Sequence, residues 1–117
     1  LGTTFSAIAY LNDLGKPEIA PNFENNQRIL PSVVYIDGDS KKVQVGEKAL
    51  NAIVSEPKKV VQAIKKQMEN ECVWNTKEGK FIDKNTADIA DDEYTPAQIS
   101  SLILENSPIT PFLIFLL

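Results

Sequence analysis

Apolar and polar positions along this chain follow two successive periods. Residues 4–11 are mostly small or apolar and predict a strand. Asn12-Asp13-Leu14-Gly15 predicts a tight turn in which Gly supplies positive φ, and residues 16–20 predict the returning strand. Residues 21–30 predict a polar loop rich in Asn, ended by Pro31. Residues 32–36 carry three β-branched side chains and a Tyr, a strong strand composition. Residues 37–40 predict another turn, and Lys42-Val43-Gln44-Val45 alternates with period two. The first third of the chain therefore predicts a β-meander.

The period then becomes helical. Residues 46–54 place Ala49, Leu50, Ile53 and Val54 on one helical face. Pro57 suits the first turn of a second helix, with Ser55 as its cap and Val60, Val61, Ile64 and Met68 as its apolar stripe. Lys58, Lys59, Lys65 and Lys66 fall outside that stripe. Residues 73–76 and 80–83 predict a small hairpin around Lys77-Glu78-Gly79, with Trp74 and Phe81 in cross-strand contact. The acidic stretch 88–93 predicts a solvated loop. Thr95-Pro96-Ala97-Gln98 predicts a helix start: Thr caps, Pro takes the first position, and Gln closes a capping box. That helix runs through 99–104 and is stopped by Pro108 and Pro111. Residues 112–117 are all apolar, but six residues are far short of the ~20 that span a bilayer, so no membrane span is expected.

Composition narrows the function classes. The 117 residues predict at most one domain. A net charge of −4 argues against general nucleic-acid binding, which needs a basic surface to displace counterions. It leaves nucleotide binding open, because backbone N–H groups meet most of a nucleotide's phosphate charge. The chain has no histidine, which excludes a Ser-His-Asp triad and any His-ligated metal site. Its one cysteine, Cys72, cannot form an intramolecular disulfide and predicts an inert, buried thiol; a cytoplasmic setting is expected. A charged start followed by an apolar core is not seen, so no signal peptide is expected. The carboxylates at 88, 91, 92 and 93 lack the spacing of a calcium loop, and no metal ligands are assigned.

The most informative residues are the first ones. Leu1-Gly2-Thr3-Thr4 precedes an apolar run that begins at Phe5. A Gly and two hydroxyl residues before an extended segment form either a plain turn or one whose converging N–H groups hold phosphate. Later segments add to the second reading. Gly15-Lys16-Pro17-Glu18-Ile19 is followed by Pro21-Asn22 and by Arg28-Ile29-Leu30-Pro31-Ser32-Val33-Val34. Then come Val45-Gly46-Glu47-Lys48-Ala49, Glu56-Pro57, Ala63-Ile64-Lys65-Lys66 and Tyr94-Thr95-Pro96-Ala97-Gln98-Ile99-Ser100. In order and spacing, over about residues 1–105, these stretches resemble the N-terminal part of the ATPase domain of the seventy-kilodalton heat-shock chaperones, the DnaK type.

The resemblance implies an α/β (α+β) portion of the actin-like, ribonuclease H-like ATPase fold: the first lobe's hairpins and the small upper subdomain. It implies that Gly2, Thr3, Thr4 and Phe5 bind the phosphates of ATP or ADP with Mg²⁺. It also implies that Lys65 is catalytic, reaching the γ-phosphate and the attacking water, where a cation stabilises the transferring phosphoryl group. From the residues alone, Lys65 reads as one solvated helix lysine among several. The implied partners are nucleotide, unfolded client peptides, a J-domain co-chaperone and a nucleotide exchange factor.

Departures from the family pattern set further expectations. The family Asp before Leu-Gly-Thr-Thr, its second phosphate motif, its adenosine-binding lobe and its peptide-binding domain are not in this sequence. Residues 1–105 are therefore expected to be a truncated part of the ATPase domain, from a shortened or frame-shifted product, and 106–117 an aberrant apolar C-terminal tail. Such a chain is expected to fold marginally, to associate and to lack ATPase activity by itself. Another actin-like-fold ATPase or sugar kinase, and a non-catalytic interaction protein, are the alternatives.

Overall fold

The computed structural model describes residues 5–7, 9–19 and 30–106. The chain opens with strands β1 (Phe5–Ser6) and β2 (Ala9–Leu11), so the single strand expected over 4–11 serves two different partners. β2 forms a hairpin with β3 (Pro17–Ile19), registering Ala9 with Ile19 and Leu11 with Pro17. The turn between them is held by Asn12, whose Oδ1 accepts from the amides of Leu14 and Lys16 at 3.0 Å each. Gly15 takes φ 73° there, as the turn pattern requires.

β1 pairs antiparallel with β4 (Leu30–Pro31), Phe5 opposite Pro31. Leu30 thus belongs to a strand and is 2% exposed, not the end of a polar loop. Most of that expected loop lies outside the described residues. β5 (Val34–Ile36) is the centre of a three-stranded antiparallel sheet, flanked by β6 (Val43–Val45) and β7 (Val60–Val61). Between β6 and β7 sits the short helix α1 (Glu47–Asn51). It ends earlier than the apolar pattern 49-50-53-54 predicts: Ala49 is buried, but Val54 is 91% exposed.

The largest departure concerns residues 57–68. No α-helix forms there. A 3-10 turn at Pro57–Lys59 leads into β7, and a second 3-10 turn spans Ile64–Gln67. Val60 and Val61 are adjacent β-branched residues, and both are buried. A strand accommodates that pair by sending successive side chains to opposite faces. Val61 joins the main core with Leu30, Val34, Ile36, Val45, Ile64, Trp74, Ile99 and Ile103. Val60 joins a second core with Val33, Tyr35 and Ala49. The β6-β5-β7 sheet is therefore apolar on both faces. Ser55 does not cap the turn; Glu56 occupies the cap position without a side-chain bond.

A second three-stranded sheet has β8 (Cys72–Asn75) at its centre, between β9 (Lys80–Asp83) and β10 (Glu93–Tyr94). The expected hairpin is present, and Trp74 meets Phe81 edge-to-face at 5.2 Å. The acidic stretch is not a wholly solvated loop, because Glu93 forms β10 and is 7% exposed. The 76–79 turn lies against residue 58: a Cβ added to Gly79, which has φ 66°, would stand 2.7 Å from the Lys58 carbonyl oxygen.

Helix α2 (Pro96–Asn106) begins with the expected capping box. The Gln98 amide donates to Thr95 Oγ1 at 3.1 Å, and the Thr95 amide donates to Gln98 Oε1 at 2.8 Å. Its buried Ile99 and Ile103 close the main core. Among the described residues, no helix is long and apolar enough to cross a membrane. The expected tail, 112–117, lies outside the described residues.

Candidate functional site

Of the residues expected to hold phosphate, Gly2, Thr3 and Thr4 lie outside the described residues. Phe5, the next residue, is placed: it pairs with Pro31 through β1 and β4 and leaves half of its surface exposed. Beside it opens a cleft of about 230 Å³. Phe5, Pro31, Val33 and Leu50 form its apolar walls; Ser32, Gln62, Ala63 and Lys66 supply its polar and backbone rim. Residues nearly sixty positions apart meet here because β1 lies on β4, while β7 returns the chain antiparallel to β5.

The segment 62–67 is shaped by one unusual residue. Ala63 adopts the left-handed conformation, φ 53° and ψ 38°, which a Cβ disfavours. It stops the strand and starts the 3-10 turn that carries both lysines. Buried Ile64 anchors that turn in the main core. Lys65 is exposed on it, and Lys66, also exposed, lines the cleft. The family resemblance singles out Lys65; it offers no signal for Lys66.

The preceding turn is fixed by charge. Lys59 Nζ bridges Glu56 at 3.1 Å and Asp37 at 3.3 Å. Hydrogen bonds to Glu56 and then Asp37 push its ammonium pKa up to about 12. Asp37 is held below its usual range chiefly by the amide of Asp39, with Lys59 also contributing. Burial pushes the Tyr35 hydroxyl up, and a hydrogen bond to Glu56 adds to this. Lys59, read from sequence as one of four solvated lysines, is thus a positioning residue for β7 and the segment behind it.

Other candidates do not assemble a site. Cys72 is buried, its thiol pushed up by burial, with Sγ 3.7 Å from Gln67 Oε1, the environment of an unreactive thiol. No metal-ligating cluster occurs among the described residues. A wider groove along Ala9, Tyr10, Leu11 and Pro17 has no cation among its described lining residues.

Residues 1–107 match the family described as Hsp70 protein. The "Chaperone protein DnaK" of Thermotoga neapolitana is 35% identical over 105 residues, and those of Thermotoga petrophila and Thermotoga maritima are 34% identical over the same length. Each alignment covers 90% of this chain and 15% of the relative, so the chain spans about 15% of the length of the curated relatives it matches. On this match, over nearly its whole length, the chain belongs to the Hsp70 family.

Proposed function

We propose that this chain contributes part of the phosphate-binding site of an ATP-dependent molecular chaperone, the ATPase that gates peptide binding, and that it is inactive alone. Residues 1–105 supply hairpins of the first lobe and the small upper subdomain of an actin-like ATPase domain; 106–117 form an appended tail. Gly2, Thr3, Thr4 and Phe5 hold the phosphates of ATP or ADP through backbone N–H groups and hydroxyls, and Mg²⁺ accompanies the nucleotide. Lys65 faces the transferring phosphoryl group. Client peptides, a J-domain co-chaperone and an exchange factor belong to the activity of the whole-length family member. Membership in the Hsp70 family favours this reading over a sugar kinase.

One observation carries the proposal: Phe5, which follows Gly2-Thr3-Thr4 directly in sequence, lines the same cleft as Gln62, Ala63 and Lys66, the residues on either side of Lys65. Small residues permit close backbone approach, and a cation nearby neutralises what dipoles alone do not. The inactivity is inferred from the extent of the match: the chain spans about 15% of the relatives' length, and phosphoryl transfer needs a site that excludes water and positions the nucleophile.

The test titrates the ¹⁵N-labelled chain with Mg²⁺-ATP and, separately, measures phosphate release. The expected result is amide shifts confined to residues 2–5 and 62–66, lost in Thr3→Ala/Thr4→Ala, with release at background. A folded chain showing no shifts at millimolar nucleotide overturns the phosphate reading. Turnover above background overturns the inactivity.

A further inference from the structure

We propose that the cleft beside Phe5 is an anion subsite in its own right, and that Lys66 is its cation, taking a phosphate oxygen of a polyphosphate ester. This rests on the reading that residues 2–5 hold phosphate, and it adds a residue that the family resemblance does not assign. Ile64–Gln67 form a 3-10 turn. Its three residues per turn send consecutive side chains about 120° apart, so Lys65 and Lys66 project in different directions. Ile64 is fixed in the core at 1% exposure, which sets the rotation of the turn. Of the two lysines, Lys66 lines the cleft.

The cleft is selective in its charge. The protein carries a net charge of −4, yet among the described residues that line the cleft Lys66 is the sole charged one and none is a carboxylate. Gln62 adds an amide donor, and Phe5 and Leu50 supply an exposed apolar wall, at 50% and 40% exposure. That combination suits an anion attached to a less polar body. The rim is held in place by Ala63 in its disfavoured left-handed conformation. A conformation of that kind persists where surrounding packing enforces it, and it marks functional sites more often than chance allows.

The experiment uses the full chain with pyrophosphate and with ATP as probes, followed by amide shifts. Lys66→Gln and Lys65→Gln are compared, and emission from Trp74, the sole tryptophan, reports folding. Loss of one charge-assisted hydrogen bond is expected to weaken both probes about tenfold in Lys66→Gln. Lys66→Arg, which keeps the charge, is expected to retain most of the affinity. Unchanged affinity in a folded Lys66→Gln, with loss in Lys65→Gln, overturns this inference and leaves the phosphate reading standing. Failure of the unmodified chain to bind either probe overturns both.

Discussion

Glu93 carries the clearest electrostatic consequence of any single residue. Its carboxylate accepts from Lys84 Nζ and from the Ala90 amide at 2.9 Å. The Lys84 hydrogen bond is the main cause that holds its pKa below the usual Glu value; Lys84 is pushed up in turn, chiefly by Glu93. A depressed folded pKa means that the unfolded chain binds the proton more readily. The stabilisation is therefore complete above the unfolded Glu pKa of about 4.3 and is lost as pH falls through the lower, folded value. The melting midpoint is expected to be flat near neutrality and to fall on the acid side of pH ~4, where other carboxylates are also titrating. In Glu93→Gln the midpoint at pH 7 is expected to drop and the acid fall to become shallower. Circular-dichroism melts across pH 3–7 check this, and parallel acid limbs for the two proteins would falsify it. None of this was legible in the sequence. Glu93 stands in an acidic run with Asp88, Asp91 and Asp92, and its partner is nine residues away. The two meet because β10 and β9 flank β8 in one sheet.

Elements whose signals are local were readable, and those decided by tertiary pairing were not. The start of α2 is of the first kind. Thr95, Pro96 and Gln98 act through bonds three residues apart, and both capping bonds form. Thr95→Ala is expected to cost about 1 kcal/mol in urea unfolding, with an unchanged denaturant slope, because one orphan N–H loses its acceptor. Thr95→Ser is expected to restore most of that loss. The 2–3 hairpin turn and the Trp74–Phe81 pair were likewise set by nearby residues. Residues 57–68 are of the second kind. The spacing of Val60, Val61, Ile64 and Met68 fits a helical stripe, but the partners that decide the matter are Val34 and Tyr35, twenty-five and more positions earlier. Once β5 offers an edge, a strand buries both valines, whereas a helix stripe would leave Met68 to be covered. It remains 46% exposed. The candidate site divides the same way. Gly2, Thr3, Thr4 and Lys65 are candidates through the family resemblance alone, whereas the cleft and Lys66 depend on where Ala63 redirects the chain.

At the scale of the whole molecule, the two cores are unequally matched by surface. Around β5 the sheet is apolar on both faces and closed by α1 and α2. The β2–β3 hairpin is different: it exposes Leu11 at 67%, Leu14 at 80% and Ile19 at 42%. Apolar side chains exposed together on one hairpin favour contact with another chain. Mass action then favours association as concentration rises. Sedimentation of the 117-residue chain between micromolar and several hundred micromolar is expected to show growing species. Charge in place of two of these side chains removes that apolar contact and adds like-charge repulsion, so Leu11→Lys/Ile19→Lys is expected to stay monomeric over the same range. Neither position belongs to either core, so Trp74 emission is expected to match that of the unmodified chain. A concentration-independent monomer for the unmodified chain removes the association. Growth that persists in the double variant moves it away from this hairpin, towards the other exposed apolar side chains, among them Val54 and Leu104.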